Sequence, residues 1–164
     1  MIDPKLILTI GKDCHISPKA YIGFKESGKG IIKVGDNTSI LHDCVIRTCS
    51  GDIIIGNNVT INYDCIFHGL GGITIGSNTM LSPRVMLYAQ NHGIKKGELL
   101  RTQAQTAKGI AIGEDVWIGA GAIIMDGVTI GKGSIVGAGS IVTKSIPPYE
   151  IWAGNPAKKI KDRT

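Results

Sequence analysis

IGEDVWIGAGAIIMDGVTIGKGSIVGAGSIV, residues 112–142, carries an aliphatic residue at every sixth position: Ile112, Ile118, Ile124, Ile130, Val136 and Val142. A six-residue period fits neither an amphipathic helix, which repeats at about 3.6, nor a simple hairpin strand, which alternates at about 2. It fits a chain that turns a corner at every sixth residue.

The same count holds upstream. Ile10, Ile16 and Ile22; Val34, Ile40 and Ile46; Ile55, Ile61 and Phe67; and Ile75, Leu81 and Leu87 make four further groups of three. The slot four residues after each marker is mostly small or β-branched, as at Thr38, Val59, Val116 and Ala122. The slot after the marker favours glycine (Gly11, Gly35, Gly56, Gly76, Gly113, Gly131). Three after it stand Asn37, Asp43, Asn58, Asp64, Asn78, Asp115, Gly121, Gly127 and Gly133, residue types that tolerate a left-handed backbone. These positions are expected to turn the corners. Lys19 and Arg84 are exceptions that each follow a proline, which predicts a different corner there. Three six-residue edges close an 18-residue coil, and parallel stacking at about 4.8 Å gives a column of roughly 29 Å for six coils. Inserts interrupt the count at GFKESGKGIIK, RTCSGD and HGLGG, and longest at 92–110.

The expected fold is therefore all-β, a parallel β-helix shaped as a triangular prism of about six coils. Residues 1–145 form the β-helix domain with loop 92–110 inserted, and 146–164 form a short C-terminal tail for which a helix is one option. Twenty-three glycines in 164 residues, against an average near 7%, do not follow the G-X-Y rule of collagen. The apolar fraction excludes disorder. No apolar run approaches the roughly 20 residues that span a bilayer, so no membrane insertion is expected. The start MIDPKLILTIGKD has no ordinary leader pattern, which makes a cytoplasmic location the simplest reading. Cys14, Cys44, Cys49 and Cys65 lack CxxC spacing; the first, second and fourth occupy the small slot, where they read as compact filler. A net charge of +5, with a basic cluster at KKIKDR (158–163) and no interleaved aromatics, does not point to nucleic acid.

The hexad [LIV]-G-x-x-[small]-x resembles that of the left-handed parallel β-helix acyltransferases, the hexapeptide-repeat family. NHGIKKGE and the stretch from IGEDVWIGAGA to NPAKKI are similar to the maltose, galactoside and polysaccharide sugar O-acetyltransferases. The left hand of the helix comes from that resemblance, since crossover rules alone favour the right. The resemblance implies acetyl-CoA as acyl donor, no metal, a sugar or glycan acceptor of polysaccharide biosynthesis, and a homotrimer with active sites between subunits. The long loop of one subunit would then reach toward its neighbour.

Acetyl transfer to a hydroxyl needs a base, and His92 aligns with the family's catalytic histidine; imidazole accepts a proton at neutral pH and returns it to the leaving thiolate. Attack on a thioester builds an oxyanion, for which the resemblance points to the backbone N–H of Ala120. Trp117 resembles a pocket-lining tryptophan, with a subunit-interface patch as the structural reading. Asn62 occupies the slot of an acceptor-binding asparagine, although asparagine is common in such turns. Gly137 and Ala138 leave room for the pantetheine arm, and Lys144, Lys158 and Lys161 match positions that meet the nucleotide end of the cofactor. Glu98 is a candidate to orient His92, and Arg101 to meet an acidic acceptor.

Two other classes compete. The γ-type carbonic anhydrases share the prism and bind zinc through histidines, but the four histidines here stand 27, 26 and 24 residues apart and lack the H-x-x-x-x-H pair. A non-catalytic scaffold leaves the NH, VTK and NPAKK elements unexplained. Within the transferase reading, the alternative acceptor is a nucleotide-linked amino sugar, acetylated on nitrogen.

Overall fold

The computed structural model of the chain describes residues 7–23 and 30–164. It is a left-handed β-helix whose three faces are parallel sheets. The first sheet stacks Ile7–Ile10, Ile31–Val34, Ile53–Ile55, Ile73–Ile75, Ile110–Ile112 and Thr129–Ile130. The second stacks His15–Ile16, Ser39–Ile40, Thr60–Ile61, Met80–Leu81, Trp117–Ile118 and Ile135–Val136. The third stacks Tyr21–Gly23, Val45–Arg47, Ile66–His68, Met86–Tyr88, Ile123–Met125 and Ile141–Val142. Six strands per face are the six coils read from the repeat.

The register is that of the hexad. Ile61 pairs with Ile40 and Leu81, Leu81 with Ile118, and Ile118 with Val136, so each marker meets its counterpart one coil above and below. The markers from Ile22 to Val142 are buried, with Phe67 the bulkiest fully buried side chain among the described residues. Each buried aliphatic side chain contributes about 1.5–3 kcal/mol of transfer free energy. The column therefore draws its stability from repetition rather than from aromatic packing.

All nine Asn, Asp and Gly corner positions have positive φ, from Asn58 at 54° to Gly127 at 78°. Arg84 departs from expectation: its φ is 61°, so the preceding proline does not change the corner, and an arginine adopts the left-handed conformation. Lys19 keeps out of that region, and its corner closes instead by a bond from Ala20 N to Ser17 O at 3.0 Å. The glycine after the marker has a steric cause. A Cβ on Gly35 would stand 2.6 Å from Gly56 C, and one on Gly76 2.5 Å from Gly113 C, so only glycine lets neighbouring coils approach here.

The inserts all leave at one corner, between the third sheet and the first. Residues 24–29 of the first insert lie outside the described residues. The long insert differs slightly from the expected 92–110. Ile110 is buried within the first sheet, and the chain leaves the prism after Ala89, which is still bonded to His68 O. The arm is a hairpin in which Asn91–His92 pairs antiparallel with Gln105–Thr106.

The tail is not helical. Ile146 bridges to Ile130, Glu150–Gly154 adds to the second sheet beside Ile135–Val136, and Ala157–Asp162 folds back antiparallel on it. The last coil would otherwise expose a row of backbone donors and acceptors, which a strand can satisfy and a helix cannot. Arg163 ties the end down, its Nη1 reaching the Asp115 carboxylate at 2.8 Å and Gly133 O at 2.9 Å.

Candidate active site

Two corners of the prism carry the chemistry, and they flank the third sheet. At the corner from the second sheet to the third, Asn62, Ser82 and Gly119 stand on successive coils, linked to the next coil by bonds to Leu81 O, Ile118 O and Val136 O. The side chains shrink up this stack, which opens the surface towards Ala120 and Ala138. Both alanines are exposed, and neither N–H donates to an acceptor among the described residues. Two amide donors without an acceptor among the described residues thus stand one coil, or about 4.8 Å, apart. The sequence read the first of them as a donor and the second only as a place without bulk.

Trp117 projects outward from the second sheet, 47% exposed, between Met80 and Ile135 in the ladder. Its indole N–H donates to Ser82 Oγ at 3.0 Å. Ser82 went unread in the sequence, because its partner lies 35 residues away. Asn62 is partly buried, and its amide oxygen accepts from Tyr63 N at 2.9 Å, which leaves the amide NH2 free to donate to a ligand. Gly137 has a packing cause: a Cβ there would sit 2.7 Å from Ala153 Cβ of the tail strand.

Further along the axis, Lys144 and Lys158 line one recess of ≈ 300 Å³ with Thr143, Trp152 and Pro156. Neither lysine forms an ion pair with a described residue. Lys159 lines the same recess but is neutralised by Glu150 and Asp162, each at 2.7 Å. Hydrogen bonds from Lys159 and from the Trp152 indole hold the Glu150 carboxyl below its usual range. Lys161 is exposed on the outer tail strand opposite Ile151, apart from the recess lining.

His92 lies at the other corner. It is exposed on the arm, with its Nε2 3.3 Å from Gln105 Nε2. Gln105, its cross-strand neighbour, holds the ring; Glu98 does not, being paired with Lys95. Gln103 pins the arm by bonds to Lys95 N at 2.7 Å, Lys95 O at 3.0 Å and Glu98 O at 3.2 Å. Ile94, Leu99 and Leu100 on the same arm are 88%, 72% and 62% exposed. Arg101 lies in the short 3-10 turn at Leu100–Thr102. The width of the third sheet separates His92 from the corner that bears Asn62 and Ala120, roughly 16–20 Å for five or six extended residues. Asn62 and Trp117 belong to one edge of the prism and His92 to another.

The remaining histidines are scattered. His15 is on the second sheet, His42 at the second corner, and His68 on the third sheet with its ring 5.3 Å from that of Tyr88. Among the described residues no three His, Cys, Asp or Glu side chains gather as a metal site. Cys44 and Cys65 stack on adjacent coils inside the column; the hydrogen bond they share, and burial, push the Cys65 thiol well above its usual value. Among the described residues no helix is long and apolar enough to cross a membrane.

Hexads, triangular coil and hairpin arm define a β-helix of the hexapeptide-transferase type. Residues 109–144 match the family described as bacterial transferase hexapeptide (six repeats). The N-acyltransferase AntD of Bacillus cereus, solved as a point mutant with dTDP-4-amino-4,6-dideoxyglucose and coenzyme A, superposes with a TM-score of 0.84 at 27% identity, covering 98% of this chain and 86% of that one. Galactoside O-acetyltransferase of Escherichia coli K12 is 37% identical over 90 residues, 55% of this chain and 44% of that protein. Gamma carbonic anhydrase 2 of Arabidopsis thaliana mitochondria is 32% identical over 166 residues, 94% of this chain and 50% of that protein. The chain spans about half or less of the length of the curated relatives it matches. The chain carries the bacterial transferase hexapeptide repeat over residues 109–144 and is similar over nearly its whole length to a left-handed β-helix acyltransferase.

Proposed function

We propose that the protein transfers an acetyl group from acetyl-CoA to a hydroxyl of a sugar or polysaccharide precursor, at sites completed between the subunits of a homotrimer. The observation that carries this reading is a pair of free backbone donors on one edge of the prism, with a two-lysine recess at the C-terminal end of the column. The N–H groups of Ala120 and Ala138 find no acceptor among the described residues on successive coils, and the recess of Lys144 and Lys158 lies between the end of the third sheet and the tail strand. An acyl-CoA laid along this edge and turned over the end of the column meets amide donors at its thioester and pantetheine carbonyls, and cations at its phosphates.

In the reaction, the acceptor oxygen attacks the thioester carbonyl, and the new C–O bond forms as the C–S bond breaks. His92 takes the hydroxyl proton at Nε2, the nitrogen that the Gln105 amide donor leaves unprotonated and that the acceptor hydroxyl engages in its place, and returns it to the departing coenzyme A thiolate. Ala120 N–H stabilises the oxyanion. Asn62 donates its amide to the sugar, and Trp117 walls the pocket. Lys161 lies further out as a peripheral cation for the nucleotide.

A second copy of the chain is needed because His92 and the Asn62–Ala120 corner lie on opposite edges of the third sheet. The outward ladder of that sheet, Val45, Ile66, Met86, Ile123 and Ile141, is apolar and only partly buried in one chain. A neighbour laid on it would cover the ladder and the three apolar side chains of the arm. Transfer to the amine of a nucleotide-linked amino sugar is the second reading, favoured by the likeness to AntD over nearly the whole chain.

The test is thiol release from acetyl-CoA with sugar acceptors, followed by subunit mixing. His92→Ala and Asn62→Ala chains, each inactive, should regain activity when co-assembled. Absence of transfer to any sugar or amino sugar, from a folded protein that also fails to bind acetyl-CoA, overturns the reading.

A further inference from the structure

Below Ala120 on the same edge lies an open groove of ≈ 430 Å³ whose lining, Ala120 apart, has no part in the roles above. Its walls are side chains of four successive coils: His42, then Tyr63 and Asp64, then Pro83 and Arg84, then Ala120. The His42 and Tyr63 rings stack with centroids 4.2 Å apart and 28° between planes. Above them the stack drops to a proline and then to an alanine, so the two rings end in a step. His42 Nδ1 lies 2.8 Å from the Asp43 carboxylate, which fixes the ring and leaves Nε2 as its second polar atom. Arg84, 77% exposed, meets Asp64 at 3.8 Å, a long contact that leaves most of the guanidinium donors unused.

We propose that this groove is the acceptor subsite, and that it takes a neutral pyranose ring seated over Pro83 against Tyr63. The proposal rests on the acetyl-transfer reading and gives it a substrate class. A pyranose presents polarised C–H groups on one face, which pack on the electron-rich face of an aromatic ring. Its rim of hydroxyls needs both donors and acceptors, and the groove supplies both: Arg84 donates, Asp64 accepts, and His42 Nε2, its Nδ1–H committed to Asp43, accepts as well. Charge decides against a phosphate here. Asp43 and Asp64 place two carboxylates beside a single guanidinium, so the diphosphate of a nucleotide sugar meets net repulsion. A ring seated on the step has its outer hydroxyl beside Ala120, whose free N–H marks the place of the developing oxyanion.

The experiment is saturation-transfer NMR on the full chain with methyl β-galactopyranoside, methyl β-glucopyranoside and methyl β-N-acetylglucosaminide, and with thymidine diphosphate as the charged arm. At least one glycoside should receive saturation most strongly at its ring C–H protons. Tyr63→Ala should weaken that binding about tenfold or more, and Tyr63→Phe should retain it. Asp64→Asn keeps a residue type suited to the corner and should weaken binding severalfold. Unchanged glycoside binding in both Tyr63→Ala and Asp64→Asn overturns the proposal, and so does binding of thymidine diphosphate alone at Tyr63. Absence of binding by all four probes to the wild-type chain overturns it as well. Failures of the two readings separate cleanly. Acetyl transfer with an acceptor KM indifferent to Tyr63→Ala sinks the subsite and spares the activity. Glycoside binding that depends on Tyr63, without any transfer from acetyl-CoA, sinks the activity and spares the subsite.

Discussion

The indole of Trp117 is fastened to the hydroxyl of Ser82 by a 3.0 Å hydrogen bond between adjacent coils. An outward tryptophan on a β-helix has solvent on one side and would swing without such a tether. Ser82→Ala frees the ring. In a Trp152→Phe background, which isolates Trp117 emission, the variant should show a shifted and more quenchable fluorescence. A hydrogen bond of this kind contributes about 0.5–1.5 kcal/mol, so acceptor KM should rise about threefold to tenfold with kcat little changed. Unaltered emission would mean that the contact does not hold the ring in solution.

His92→Ala should lower kcat by roughly 10²–10⁴-fold while leaving acetyl-CoA affinity nearly unchanged. Gln105→Ala should give a smaller loss, because it removes only the contact that holds the ring. Stopped-flow thiol release and calorimetric titration with acetyl-CoA separate the two effects. An unchanged kcat in His92→Ala removes the residue from the mechanism.

Lys144→Ala and Lys158→Ala should each weaken acetyl-CoA binding about threefold to tenfold, and more at low salt than at high, because exposed cations act on phosphates through screened charge. The same variants should bind dephospho-CoA with smaller losses. Lys159→Ala should instead lower the melting temperature, since that side chain is committed to Glu150 and Asp162.

Asn78 turns a corner at φ 61°, and its amide oxygen accepts from Asn58 Nδ2 at 2.9 Å. Asn78→Ala loses the bond and the tolerance for that backbone, at a cost of about 1–3 kcal/mol. Asn78→Gly should cost less than Asn78→Ala, because glycine restores the backbone conformation. Urea denaturation of the three proteins gives the order, and equal losses in both variants would locate the cost in the hydrogen bond alone.

Glu150 makes the tail sensitive to acid. Its folded carboxyl titrates below the ordinary carboxylate range because Lys159 and the Trp152 indole bond to the charged form. A depressed folded value contributes stability that is complete above the unfolded carboxylate pKa and is lost as pH falls through the folded one. Melting temperature should therefore decline below about pH 4.3 more steeply in the wild type than in Glu150→Gln. Identical slopes would show that the ion pair contributes nothing to the fold.

The six-residue rhythm determined the architecture by itself. A repeat that buries one aliphatic, one small residue and one left-handed corner per edge leaves a coil as its only self-consistent packing, and nine corner positions read from residue type alone have positive φ. Arg84 shows where that reading ends: its conformation is imposed by coils above and below that already turn there, and its own side chain gives no sign of it. The tail was illegible for a similar reason, since Glu150–Gly154 is a strand only because the last coil offers an edge to pair with. The site divides along the same line. Lys144 and Lys158 stand 14 residues apart in sequence yet share a recess, and Ser82 reaches Trp117 across 35 residues. Local patterns record what each residue does for its own coil. Which side chains face one another across coils depends on the length of every insert between them, and that is settled only when the column closes.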